Sequence, residues 1–112
     1  MSSRILYQDR VCGLTDETLV LHGFTKILGR PRRIELAHVL SFTMRSAEDF
    51  PNQQLPKWGI DDRGVWYTRD PRRWRRQHSI EVTFDNDERV GFTPAHPSRF
   101  RDLLRQLNVK ET

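Results

Sequence analysis

The stretch HSIEVTFDNDERVGFTPAHPSRFRDLLRQL, residues 78–107, decides the fold class. From His78 to Phe84, Ile80, Val82 and Phe84 alternate with Ser79, Glu81 and Thr83, the period-two pattern of a strand with one apolar face. Asp85-Asn86-Asp87 supplies a turn, and Arg89 to Thr93 returns with Val90 and Phe92 inward, so the pattern predicts a hairpin. The period then changes. Pro97 suits a first helical turn, where its missing N–H costs nothing. Phe100, Leu103, Leu104 and Leu107 stand at i, i+3, i+4 and i+7, one apolar stripe, and Asn108 marks the stop. Burying these four side chains is worth about 6–12 kcal/mol as an upper bound, comparable with a domain's net stability. The helix must therefore dock on sheets or on another chain.

Upstream, short alternating runs are separated by turn signals, the pattern of an all-β sandwich or barrel. Strands are predicted at Ile5–Val11, Thr18–Phe24, Arg33–Leu36 and Val39–Arg45, then at Trp58–Ile60 and Val65–Thr68. The second strand has an alternative end that runs on through Lys26, Ile27 and Leu28. Turns are predicted at Gly13–Glu17, Gly29-Arg30-Pro31 and Asp61–Gly64. Pro51 and Pro56 make Ser46–Lys57 a loop, because proline lacks the N–H a ladder needs. Arg69–Gln77 is a further loop. The expectation is a mainly β domain over residues 1–112, about seven antiparallel strands closed by one C-terminal helix.

A chain of 112 residues can bury a core without staples. Cys12 is the only cysteine, so no internal disulfide forms, and it reads as a small core side chain. No apolar run approaches the ~20 residues that span a bilayer, and no apolar segment follows Met1-Ser2-Ser3-Arg4, so a cytoplasmic location is expected.

The order of elements resembles the pleckstrin-homology-like (PH-like) family, and more closely its bacterial branch. The residues that carry the resemblance are Arg33-Ile34-Glu35-Leu36-Ala37-His38-Val39, Trp58-Gly59-Ile60, Ile80–Phe84 with its acidic turn, and Gly91–Phe100. Together they cover most of the chain. The resemblance implies a barrel or sandwich that serves as a binding or assembly module, and bacterial members are thought to self-associate into rings. Eukaryotic phosphoinositide binders carry a basic cluster between the first two strands. Here the expected loop, Gly13–Glu17, has two acids and no base, so no headgroup residues are carried over.

The charge is uneven. Between Arg63 and Arg76 six arginines face one acid, Asp70, although the whole chain is only +4. Arg69, Arg72, Arg73, Trp74, Arg75 and Arg76 are the candidate binding residues for an anionic partner. Guanidinium pairs phosphate bidentately, and an indole stacks on a base or sits at a membrane interface. The bland alternative is a solvated loop whose Trp74 packs on the sheet. At about 1 kcal/mol per base the loop would give ~5 kcal/mol at an anionic surface, a dissociation constant around 0.1–1 mM, so membrane binding would need several copies. His22, His38, His78 and His96 show no metal-ligand spacing, Asp85–Glu88 lacks the rest of a calcium loop, and no glycine-rich phosphate loop or nucleophile–base set is present. The sequence thus predicts a non-catalytic module without metal or cofactor. Its first expected partner is a protein or a second copy met at sheet edges. The alternative partner is an anionic lipid surface or nucleic acid met at the basic loop.

Overall fold

The computed structural model describes residues 4–23, 31–70 and 72–112, apart from the side chains of Asn52 and Trp74. A four-stranded antiparallel sheet comes first: β1 (Ile5–Gln8), β2 (Cys12–Thr15), β3 (Thr18–Leu21) and β4 (Arg32–Glu35), in sequence order. The second sheet has six strands: β5 (Val39–Ser46), β6 (Gly59–Ile60), β7 (Val65–Tyr67), β8 (His78–Phe84), β9 (Arg89–Phe92) and β10 (Lys110–Glu111). Their spatial order is β10-β5-β8-β9-β7-β6, and helix α1 (Pro97–Gln106) stands between β9 and β10 in the chain. No helix among the described residues is long and apolar enough to cross a membrane.

The hairpin expected at residues 78–93 is present, with Ile80 opposite Phe92 and Val82 opposite Val90. The β6–β7 hairpin also forms, with Gly59 opposite Tyr67 and Ile60 opposite Trp66. The first predicted strand is corrected. Residues 5–11 are not one strand, because the Asp9 carboxylate accepts hydrogen bonds from the Val11 and Cys12 amides (2.8 and 2.9 Å) and folds the chain back. The predicted turn at Gly13–Glu17 is therefore mostly β2, and the tighter turn at residues 16–17 is capped by Thr15 Oγ1, which accepts from the Thr18 amide. The third predicted strand ends one residue early, at Glu35, and Leu36–His38 is a 3-10 turn. Phe24, the continuation through Leu28 and the turn at Gly29-Arg30 lie outside the described residues.

The all-antiparallel, barrel-like expectation is also corrected. The sheets do not close, and two of the pairings are parallel: β7 with β9 and β10 with β5. The first is made possible by Gly91, across which the Tyr67 ring lies; a Cβ on Gly91 would sit 2.5 Å from that ring. The second follows from Asn108, whose left-handed φ of 65° turns the chain out of α1 and sets Lys110 beside Ser41.

The core lies between the two sheets and under α1. Leu14, Leu19, Leu21, Phe42, Ile80, Val82, Val90 and Phe92 fill it, and Cys12 is fully buried among them. Phe100 from α1 meets Tyr7 of β1 and Phe92 of β9 edge to face, with centroids 5.1 and 5.3 Å apart, so the helix joins both sheets. Leu104 is buried beside it, and Leu103 and Leu107 pack at the margin. Asp9 locks the same corner: its second oxygen accepts from the Tyr7 hydroxyl (2.5 Å) and the Ala95 amide (2.8 Å), while the Tyr7 oxygen accepts from the His96 amide.

Ser79 and Glu81, on the face opposite Ile80 and Val82, are buried as well. The outer face of the second sheet is covered by residues 47–57, with Ala47 and Leu55 buried and the Phe50 ring edge-on to Tyr67. Beneath that cover Glu81 accepts from the Tyr67 hydroxyl (2.5 Å) and from Arg63 (2.6 Å), and Arg63 also donates to Asp61 (2.9 Å). Burial, and then the hydrogen bond to Glu81, push the Tyr67 hydroxyl well above the ordinary phenol range.

Candidate anion-binding site

The arginine-rich loop is fastened to both sheets at its start. The Thr68 amide donates to the Gly91 carbonyl (3.0 Å), and the Arg69 amide donates to the Gly23 carbonyl at the end of the first sheet (2.7 Å). Gly23 has a φ of 70°, and a Cβ there would lie 2.3 Å from the Arg69 carbonyl oxygen, so only glycine permits the approach. Asp70 is buried and orders the next turn. It accepts from the Arg72 amide (2.9 Å) and from the Thr93 hydroxyl (2.6 Å), and a 3-10 turn over Arg73–Arg75 follows.

Arg73 is set apart from the other bases. Only 2% of it is exposed. Its guanidinium donates to the carbonyls of Lys57 (2.7 Å) and Pro56 (3.2 Å) and to the hydroxyls of Thr68 (3.1 Å) and Thr93 (3.3 Å). It also lies over the Tyr67 ring, 5.3 Å from the centroid. Desolvation lowers its pKa to about 10 against the attraction of Asp70, so it remains a cation at neutral pH. Arg73 is thus a tie between the loop, the covering segment and β9, with its donors already directed at protein acceptors.

The rest of the loop lines two cavities. One, of about 420 Å³, lies against the first sheet, with Arg10, His22, Arg69, Arg72 and Arg76 in its wall. The other, of about 400 Å³, lies against the covering segment, with Lys57, Gln77, Arg69, Arg73 and Arg76 in its wall. Arg69, Asp70 and Arg76 belong to both. Arg76 Nε is shielded from solvent and has no hydrogen-bond partner among the described residues. Within those residues Arg10, Arg69, Arg72 and Arg76 form no ion pair, unlike Arg32, Arg45, Arg63, Arg101 and Arg105.

The structure therefore brings Arg69, Arg72 and Arg76 together, buries Arg73 below them, and leaves Arg75 exposed and in the wall of neither cavity. The side chain of Trp74 lies outside the described residues. Arg10, His22 and Lys57 join from remote parts of the chain. Arg10 stands in the connection between the first two strands, which is at residues 9–11 rather than at Gly13–Glu17. Its signal was Asp9, a turn-forming residue inside an otherwise strand-like run. His22 and Lys57 carried no such signal.

Cys12, the side chain that could have served as a nucleophile, is sealed in the core, and burial followed by the charge of Asp9 pushes its thiol far above the ordinary range. Among the described residues no group of histidine, cysteine and acidic side chains is arranged to hold a metal ion. Comparison with known proteins finds no family model that matches the chain, no similar curated protein and no similar solved structure.

Proposed function

We propose that this chain is a non-catalytic binding module whose partner is anionic and is held by Arg10, Arg69, Arg72 and Arg76. The observation that carries this reading is that four arginines, none paired with a carboxylate among the described residues, line cavities with one buried acid, Asp70. Guanidinium suits the two-oxygen edge of a phosphate. The PH-like resemblance is kept as part of the proposal. Its support is a four-stranded meander, a second sheet and a helix that packs on both. The parallel β7–β9 pair and the added β10 are departures from it.

Binding of a fluorescent single-stranded oligonucleotide and of anionic vesicles, measured against salt, tests the reading. The expected result is binding at low salt that falls steeply as salt rises, and its loss when Arg69, Arg72 and Arg76 are all replaced by Ser. Absence of binding to oligonucleotide, vesicles and inorganic phosphate alike at low salt overturns it.

A second reading, protein contact at a sheet edge, is favoured by β6. That strand is an edge of the six-stranded sheet, its Ile60 is 68% exposed and Trp58 beside it is 39% exposed. Light scattering across a concentration series tests the self-association form of this reading, and a mass that stays monomeric removes it.

A further inference from the structure

We infer that the two cavities are paired subsites for one ligand that carries at least two linked phosphoryl groups. The inference rests on the anion-binding reading above and names its ligand class. Arg69 and Arg76 line both cavities, while Arg10 and Arg72 line only one and Lys57 only the other. A single phosphate in either cavity engages the shared pair and leaves the bases on the far side without a counter-charge. A second phosphoryl group linked to the first reaches them at a high effective concentration.

Asp70 also lines both cavities, its carboxylate held by the Thr93 hydroxyl and the Arg72 amide, and its charge disfavours a phosphate lodged beside it. Each cavity, at about 400 and 420 Å³, has the room of on the order of a dozen waters at ~30 Å³ each, enough for a phosphoryl group with part of its hydration.

Calorimetric titration of the full chain at low salt with phosphate, diphosphate, triphosphate and a longer linear polyphosphate tests the pairing. The expected result is a step of roughly tenfold or more in affinity at the length that first fills both cavities, then a plateau, at one ligand per chain. Arg10→Ser and Lys57→Ser, both at exposed positions, should each remove most of that step. A flat series, or a rise that continues in proportion to charge without a plateau, overturns the pairing while the anion reading stands. If no member binds, and oligonucleotide and vesicles fail as well, both are overturned. Adding vesicles with phosphorylated headgroups to the diphosphate complex identifies the source: displacement assigns the paired phosphates to a lipid, and none assigns them to a free solute.

Discussion

Two regions of this protein are rich in arginine, and they use it in opposite ways. Under the covering segment 47–57, Arg63 and Arg73 direct their donors at Asp61, Glu81, Thr68, Thr93 and backbone carbonyls. Arg10, Arg69, Arg72 and Arg76 line the two cavities with one acid among them, and that acid is already engaged by Thr93 and a backbone amide. The difference lies in whether the fold supplies acceptors for the guanidinium. Where it does, arginine joins strands to loops and adds nothing to an anion site. Where it does not, the charge is available to a ligand. Arginine count in a segment therefore overstates free charge, and Arg73, one residue from Arg72, shows by how little sequence the two roles are separated.

The largest expected effect comes from breaking the first region. Arg73→Ala leaves two carbonyls and two hydroxyls without their donor and opens a space beside Tyr67, so it should cost about 3–5 kcal/mol of stability. Urea unfolding followed by tryptophan fluorescence measures this, and a loss under ~1 kcal/mol would show that Arg73 belongs with the free arginines. Gly91→Ala attacks the same region through packing. Its Cβ would meet the Tyr67 ring, which is buried and cannot swing clear, and a loss of about 1–3 kcal/mol is expected in the same assay.

Asp9 gives a pH-dependent version of the comparison, since it stands beside Arg10 but faces inward. Burial opposes its ionisation, yet the hydrogen bonds from Tyr7, Ala95, Val11 and Cys12 outweigh burial and hold its pKa below the ordinary carboxylate range. A depressed folded-state pKa means that this contribution is complete above the unfolded value near ~3.9 and is lost as pH falls through the folded one. Asp9→Asn should therefore lower the melting temperature at neutral pH, by roughly 1–2 kcal/mol of stability, and differ progressively less from the native protein below about pH 4. A deficit that does not shrink in acid would assign the effect to packing rather than charge. The smallest effect on stability is expected for Arg72→Ser, within about 0.5 kcal/mol, because only its backbone amide and carbonyl bond within the fold among the described residues. The same change should weaken phosphate-ligand affinity about fivefold, which calorimetry reads directly.

The sequence by itself determined the elements whose periodicity is local. The 78–93 hairpin, the β6–β7 hairpin and the stripe of Phe100 and Leu104 were legible because each depends on residues close in the chain. The basic segment was legible as composition. Tertiary structure alone decided which of its arginines are free, since the acceptors that bind Arg73 come from Pro56, Lys57, Thr68 and Thr93, spread over nearly forty residues. It also decided that Arg10 and Lys57 join the site, that β7 lies parallel to β9 across Gly91, and that the outer face of β8 is covered. The physical reason is common to all of these. Alternation and turn chemistry act through the backbone of neighbouring residues, whereas burial of a charge and convergence of like charges depend on which distant segments meet, and no local pattern encodes that.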